Sequence, residues 1–263
     1  MHFSKIAASV ALATLASAQT FTSCNPTLQT CPSDKGLNVG YYHVDFASGA
    51  DADWPMVLGE AAYDGQGVAY SLAGPSPGPT MESDFYFFFG TVSVIAKAAS
   101  GAGIVSCVVL ESDDLDELDW EWLGGDASQV QSNYFGKGNT TTYDRGAFHP
   151  VADAQNAWHN YTLEWTPYYT NWIIDGQVVR TLNFADAVGG QNYPQTPMRV
   201  KLGIWAAEGT GNAGTVAWAG GPTNWSQGPF AMHVQSVTIV NHNPATSYTY
   251  SDLSGSWQSI KMA

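Results

Sequence analysis

Basic residues are scarce in this 263-residue sequence: nine Lys and Arg stand against 23 Asp and Glu, for a formal net charge of −14. The few basic residues form no cluster along the chain. Nucleic acids and anionic membranes are bound through positively charged surfaces, so neither is an expected partner. Charged residues of both signs make up only 12% of the chain, which favours a neutral ligand.

Long apolar runs are also missing. A helix needs about 20 apolar residues to span a bilayer, and no stretch of this sequence reaches that length. Residues 1–18 contain Lys5, a short apolar run over 6–15 and the ending Ala16-Ser17-Ala18. This order is typical of a secretory signal, so we expect a secreted protein without a transmembrane segment.

Cysteine is rare, with three residues in the whole chain. In an oxidising compartment Cys24 and Cys31, flanked by prolines, are expected to close a small disulfide loop. Cys107 lies in an apolar run and is expected to be a buried, inert thiol. No Cys/His cluster has metal-ligand spacing, so we expect neither a metal nor a cofactor. The candidate glycosylation sites are Asn139, Asn160 and Asn224.

Aromatic residues and glycine are abundant: 10 Trp, 13 Tyr, 11 Phe and 27 Gly. Short runs rich in Val, Ile and aromatic residues are separated by turn residues, which predicts strands, whereas helical periodicity is almost absent. The predicted strands are 84–89, 91–96, 104–111, 117–123, 160–165, 171–174, 199–206 and 232–240. Asp175-Gly176 predicts a hairpin, and residues 183–188 could form a single helical turn.

These patterns predict an all-β protein built as an antiparallel sandwich over about residues 36–245, preceded by the disulfide-tied loop. We therefore divide the chain into the signal (1–18), a catalytic domain (19–245) and a polar C-terminal strap or linker start (246–263). A lipid-anchor signal needs a hydrophobic tail of about 10–20 residues. Residues 246–263 contain none, so any lipid anchor is expected only in a longer form of the protein.

The most informative segment is residues 111–121, with seven acids in eleven positions. Such a run is commonly a solvated face or a cation site, but it does not match the register of an EF-hand loop. From 117 onward the carboxylates Glu117, Asp119 and Glu121 alternate with large apolar residues. On a strand they share one face, about 6.5–7 Å apart, a crowding that costs stability but serves acid–base and nucleophilic chemistry.

The run Asp116-Glu117-Leu118-Asp119-Trp120-Glu121-Trp122 resembles the signature of glycoside hydrolase family sixteen, whose members are curved β-jelly rolls with a substrate cleft on the concave face. Further similar segments are 131–139, 158–161, 164–165, 172–176, 216–221 and 224–230. The Cys24/Cys31 pair and residues 139–145 resemble the fungal Crh-type cell-wall transglycosylases, which join chitin to β-glucan. The resemblance covers about residues 20–240.

The resemblance implies that Glu117 is the nucleophile and Glu121 the general acid and base, while Asp119 hydrogen-bonds Glu117 and sets its ionisation. A retaining mechanism needs carboxyl groups about 5–5.5 Å apart. Positions four apart on a straight strand are about 13 Å apart, so the two glutamates must lean together on a bent strand. Retention is therefore implied by the family and not by the spacing.

A sugar cleft also needs hydrogen-bonding groups and aromatic surfaces. Gln131 and Asn133 share one face of the following strand and could bind sugar hydroxyls. The complete set of expected substrate-binding residues is Gln131, Asn133, Tyr134, Lys137, Arg145, Trp205, Glu208 and Trp218. The tryptophans assigned to the core instead are Trp120, Trp122, Trp165 and Trp172.

The resulting hypothesis is a secreted, monomeric, retaining transglycosylase of the cell wall that cleaves chitin and transfers the fragment to β-glucan or chitin. The nearest alternative is an endo-β-1,3(4)-glucanase or a chitin hydrolase on the same fold. A more distant alternative is a lectin-like module, since jelly rolls also bind glycans without chemistry. Three stacked carboxylates have no purpose in a binding module, so the sequence favours an enzyme.

Overall fold

A computed structural model describes residues 20–76 and 78–263, and most of its regular elements are β-strands. In chain order they are β1 (Asp34–Lys35), β2 (Tyr41–Asp45), β3 (Met56–Leu58), β4 (Ala61–Asp64), β5 (Gly67–Leu72), β6 (Thr80–Glu82), β7 (Gly90–Lys97), β8 (Ile104–Ser112), β9 (Glu117–Leu123), β10 (Gln129–Phe135), β11 (Ala147–Pro150), β12 (His159–Trp165), β13 (Tyr169–Ile174), β14 (Gln177–Asn183), β15 (Met198–Ala206), β16 (Phe230–Asn241), β17 (Ser247–Tyr250) and β18 (Ile260–Met262). The same ranges contain one α-helix, α1 (Ala213–Trp218), and 3-10 turns at Phe46–Ser48, Phe184–Asp186, Ala207–Thr210, Trp225–Gln227 and Trp257–Ser259. The predicted signal, 1–18, lies outside the described residues.

Two antiparallel sheets form the body of the molecule. The first has seven strands in the order β11-β10-β9-β8-β15-β6-β3. The second has eight, in the order β14-β13-β12-β7-β16-β5-β4 with β2 added along β16. A third, small sheet joins β1, β17 and β18, so that residues 246–263 include two strands folded onto the body. The predicted antiparallel all-β sandwich is confirmed, and in residues 20–76 and 78–263 no helix could cross a bilayer.

The main core lies between the two large sheets, and it holds β9 firmly. Trp120 and Trp122 of β9 pack edge-on against Tyr161 of β12, with ring centroids 5.7 and 4.6 Å apart. From β13, Trp172 Nε1 donates to the main-chain oxygen of Asp119 at 3.0 Å. Each such buried side chain contributes about 1.5–3 kcal/mol. The tryptophans assigned to the core are all fully buried: Trp120, Trp122, Trp165 and Trp172.

Seven of the eight predicted strands are present within two residues of their expected bounds. The exception is 84–89, which forms only isolated bridges at Tyr86 and Phe87. This segment leads from β6 in one sheet to β7 in the other, and residues 85–89 are all buried. A chain that crosses through the core cannot continue the hydrogen-bonded ladder of either sheet, so its apolar composition was misleading.

Turns and the short helix follow their local chemistry. Asp175 and Gly176 join β13 to β14 with φ of +48° and +81°, as a two-residue hairpin turn requires, and this prediction is confirmed. Helix α1 was not predicted. The Asn212 side chain caps it by accepting hydrogen bonds from the N–H groups of Gly214 and Thr215 at 2.8 and 3.2 Å, and that residue was the available signal.

The cysteines behave as expected. Cys24 and Cys31 are joined in a disulfide that ties off the N-terminal loop, with Cα atoms 5.8 Å apart. Cys107 is a free, buried thiol on β8.

Candidate active site

The three carboxylates of β9 lie on the face of the seven-stranded sheet that points away from the main core, here called the site face. They are placed there because Leu118, Trp120 and Trp122 occupy the opposite face and are buried in the core. Asp119 is 1% exposed, whereas Glu117 and Glu121 are half-buried. The residues paired with the carboxylates are Glu111, Val109 and Cys107 on β8, and Phe135, Asn133 and Gln131 on β10.

Asp119 and Glu117 are neighbouring carboxyl groups on one face of β9, and each affects the ionisation of the other. Neither Asp119 oxygen has a hydrogen-bond partner in the described part of the chain. Burial, together with the charges of Glu117 and Glu121, raises the pKa of Asp119 well above its usual value. Burial raises the pKa of Glu117 from 4.5 to about 8, whereas the interaction with Asp119 lowers it. Asp119 thus opposes part of the effect of burial on Glu117.

Glu121 has the properties of a proton donor. Burial raises its pKa from 4.5 to about 7. A carboxyl group with this pKa keeps its proton in mildly acidic solution and can transfer it to a leaving oxygen. Its cross-strand neighbour Cys107 is neutral, because burial and the nearby carboxylates raise the pKa of the thiol.

A buried ion pair lies beside the carboxylate row. Lys201 Nζ on β15 contacts the Glu111 carboxylate on β8 and lies 3.9 Å from Oε2 of Glu82 on β6. The side chains of Lys201 and Glu111 are only 3% and 2% exposed. Arg199 forms a further ion pair with Glu82. The site face therefore carries a charge network next to Glu117.

Sequence reasoning missed this network, although part of its signal was visible. Glu111 belongs to the acidic run, but only the three residues on β9 were assigned a role. Lys201 stands between the apolar residues Val200 and Leu202, so alternation puts it on the site face with Trp205. Its contact with Glu111 depends on the register between β8 and β15, which no local pattern reveals.

The N-terminal segment covers part of this network. The Phe21 ring lies over Lys201 Nζ at 4.6 Å. A cavity of about 60 Å³ lies between residues 21–23 and the charged groups Glu82, Glu111 and Lys201. Such a volume admits about four or five water molecules. In residues 20–76 and 78–263, no cluster of His, Cys, Asp and Glu has the arrangement of a metal site.

An aromatic pair forms an apolar patch on the same face. Trp205 of β15 and Trp218 of α1 stack with centroids 6.1 Å apart and planes at 22°. They pack with Val105, Cys107 and Val109 of β8, apart from the main core. Trp205 is 9% exposed and Trp218 half-buried. A stacked pair next to the carboxylates is a surface on which a sugar ring could lie.

Gln131 and Asn133 flank the carboxylates on β10. Gln131 pairs with Glu121, and Asn133 pairs with Asp119. Because directly paired residues on neighbouring strands point to the same side of a sheet, both amides belong to the site face. Gly146 lies close to Gln131: a Cβ on that glycine would stand 2.8 Å from the Gln131 amide nitrogen.

The structure does not bring Tyr134, Lys137 and Arg145 to the site face. Tyr134 pairs with Leu118 and is buried in the main core, so the expectation of a stacking surface is wrong. Alternation from Gln131 and Asn133 should have shown this, because the residue after Asn133 must face the other way. Lys137 Nζ lies 3.7 Å from the buried Asp116 carboxylate, and its role in binding polymer stays a prediction.

Arg145 braces a loop. Its guanidinium donates to the main-chain oxygens of Tyr134, Asn139 and Thr142 at 3.1, 2.6 and 2.9 Å, and it lies over the Phe135 ring at 4.7 Å. These contacts occupy the group that was expected to bind polymer.

Glu208 also has protein partners. Its carboxylate accepts hydrogen bonds from Trp225 Nε1 at 2.6 Å and from the Thr223 N–H at 3.4 Å. It thereby fixes the loop after α1, behind the Trp205–Trp218 patch. The sequons differ in accessibility: Asn139 and Asn160 are half-buried, and Asn224 is exposed.

Comparison with known proteins agrees with this geometry. The model for Glycosyl hydrolases family 16 matches residues 49–227. Crh-like protein 5 of Aspergillus fumigatus is 54% identical over 264 residues, which cover 99% of this chain and 67% of that protein. Congo red hypersensitive protein 1 of Saccharomyces cerevisiae is 46% identical over 244 residues, which cover 91% of this chain and 47% of that protein.

Solved structures give the same result. A structure described as Crh5 transglycosylase in complex with NAG has a TM-score of 0.89 at 55% identity and covers 91% of this chain and 100% of that chain. A Bacillus licheniformis β-glucanase has a TM-score of 0.65 at 23% identity, covering 78% of this chain and 99% of that chain, and this likeness shows the fold alone.

The family match includes β9 and all three of its carboxylates. The chain spans about half to two thirds of the length of the two relatives named above. It belongs to glycosyl hydrolase family 16, with Crh-like proteins among its close relatives.

Proposed function

We propose that this chain is a retaining transglycosylase of the cell wall that cleaves chitin and transfers the fragment to β-glucan or chitin. The observation that carries the proposal is the row of Glu117, Asp119 and Glu121 on one face of β9, in which burial raises the pKa of Glu117 to about 8 and that of Glu121 to about 7. The Crh-type relatives support transfer, and the complex with NAG supports an N-acetylglucosamine polymer as donor.

The first chemical step joins the donor to the protein. A Glu117 oxygen attacks the anomeric carbon and the glycosidic C–O bond breaks, while Glu121 gives its proton to the departing oxygen. Asp119 favours the ionised form of Glu117, in opposition to burial, which raises the pKa of Glu117 to about 8. The charge of Glu121 raises the pKa of Glu117, which supports a close approach of the two carboxyl groups.

The second step releases the fragment onto an acceptor. Glu121, now ionised, takes the proton of an acceptor hydroxyl as that oxygen attacks the anomeric carbon and Glu117 departs. Two inversions give net retention. Water can replace the sugar hydroxyl, so transfer requires that an acceptor be bound and water excluded. The Trp205–Trp218 patch lies on the Glu121 side of the row and offers a sugar ring such a dry surface.

Location and modification complete the proposal. Secretion is directed by residues 1–18, and the protein acts as a glycosylated monomer in the cell wall. Asn224, on an exposed turn, is the most accessible acceptor for a glycan among the three sequons.

The test is mass spectrometry of the purified protein incubated with chitin oligomers and a labelled β-1,3-glucan oligomer. Hybrid products that contain both sugars are the expected result. Shorter chitin oligomers alone would establish a hydrolase, and binding without any product would establish a glycan-binding module; either result overturns the proposal. Glu117→Gln serves as the inactive control, and the exposed Glu60→Gln serves as the matched surface control.

A further inference from the structure

The buried pair formed by Lys201 and Glu111 has no evident structural purpose. Removing two charges from water costs several kcal/mol per ion, and replacing a buried pair by apolar residues is often neutral or stabilising. Here the pair is almost completely buried, and its cross-strand neighbours are the apolar Val109 and the charged residues Glu82, Arg199 and Glu117. A charge pair kept at this cost next to an active site points to a role in the chemistry.

The register of three strands aims the pair at the nucleophile. Glu111 on β8 pairs directly with Glu117 on β9, and cross-strand partners have Cβ atoms about 4.5–5.5 Å apart. Lys201 lies on β15, the next strand, diagonal to Glu111 and bonded to it. Glu111 thus stands between the nucleophile and the lysine.

The nucleophile otherwise faces mostly acids. The charged or titratable groups around it are Asp119 and Glu121 on β9, Glu111 on β8, Asp113 in the following loop, Lys201 and Arg199 on β15, and Glu82 on β6. On the site face β10 offers only uncharged side chains. Arg199 is engaged by Glu82 and Tyr86. Burial raises the pKa of Glu117 to about 8 and the charges of Glu111 and Glu121 act in the same direction, whereas the charge of Lys201 lowers it.

We propose that Lys201 is a positioning residue for the nucleophile: anchored by Glu111 and Glu82 beneath Phe21, it supplies the positive charge that favours the ionised form of Glu117 against burial and its acidic neighbours. This inference rests on the proposed function, in which Glu117 must be ionised to attack. Glu111 has the opposite influence on charge, because its own carboxylate faces Glu117 and offsets the field of the lysine.

The test uses variants with opposite expected signs. The pH profile of kcat/KM reports the ionisation of Glu117 and Glu121 in the free enzyme, and the limb that belongs to Glu117 is identified by direct titration of that carboxyl group. Lys201→Met is expected to move this limb upward by about one pH unit, equal to about a tenfold loss on the limb. Glu111→Gln is expected to move it downward, and Lys201→Arg to restore it. Lys261→Met, on an exposed position of β18, is the matched control and should leave the limb in place.

A purely structural pair would behave differently. Both single variants would then lower the midpoint of thermal unfolding without displacing the limb, and that result overturns the proposal. Displacement of the limb in the same direction by Lys201→Met and Glu111→Gln overturns it too. If either single variant fails to fold, the pH position of the limb is compared between Lys201→Arg and the double variant Glu111→Gln/Lys201→Met. The double variant leaves no unpaired charge at the two positions.

A second readout separates this inference from the proposed function. The carboxyl ¹³C resonance of Glu117, assigned by its loss in Glu117→Gln, is titrated in the absence of substrate. An upward shift of its midpoint in Lys201→Met confirms the role of the lysine even if no glycan is turned over. An unchanged midpoint refutes that role even if the wild-type protein is a fully active transglycosylase.

Discussion

Replacing Glu121 by Gln is expected to remove one defined part of the pH dependence of stability. Burial raises the pKa of Glu121 from 4.5 to about 7, so between these values the folded protein holds a proton that the unfolded chain releases. The stabilisation is fully present below pH 4.5 and is lost as the pH rises through 7. Linkage gives a loss of at most about 2.5 kcal/mol for this group between pH 5 and pH 8.

The assay is urea unfolding followed by tryptophan fluorescence at pH 5, 6, 7 and 8, for wild type, Glu121→Gln and the exposed control Glu60→Gln. The free energy of unfolding of the wild type should fall towards pH 8 by about 2.5 kcal/mol more than that of Glu121→Gln. Loss of the Glu121 charge also lowers the pKa of Glu117, which adds to the difference. Parallel pH dependences of wild type and Glu121→Gln would refute the reasoning.

Three further outcomes are expected. Glu117→Gln should lower kcat at least about a thousandfold with an unchanged circular dichroism spectrum, and Asp119→Asn should lower kcat less, because both chemical steps remain possible; comparable losses would contradict the assigned roles. Trp218→Ala should raise KM about threefold to tenfold with little change in kcat, as expected from loss of an aromatic contact; an unchanged KM would remove the patch from the site. Cys31→Ser should lower the free energy of unfolding by at most about 2.5 kcal/mol, since the Cys24–Cys31 loop is short, and denaturant titration measures this.

The parts of the fold and site that were predictable from the sequence depend on local alternation. Strand β9 was located at its observed bounds because Leu118, Trp120 and Trp122 demand one buried face. That demand places Glu117 and Glu121 on the other face without knowledge of any neighbouring strand. The hairpin at Asp175 was equally local.

The parts that were missed depend on contacts distant in sequence or on rules that were not applied. The Lys201–Glu111 contact arises from the register of β8 with β15. Lys137 forms an ion pair with Asp116. Both pairings join segments far apart in sequence or separated by a loop. Tyr134 is a different case, because the alternation that placed Asn133 on the site face already excluded it.

The central claim is that Glu117 carries the sugar between donor and acceptor. The most direct test is intact-mass analysis of Glu121→Gln after addition of a chitin-oligomer glycosyl fluoride, a donor that needs no acid to react. The account predicts an adduct with the mass of the glycosyl group, located on the peptide that contains Glu117, and the adduct persists when a β-glucan oligomer is added, because the variant lacks the base that deprotonates the acceptor hydroxyl. An adduct on another residue, or turnover of the fluoride without any adduct, would contradict it.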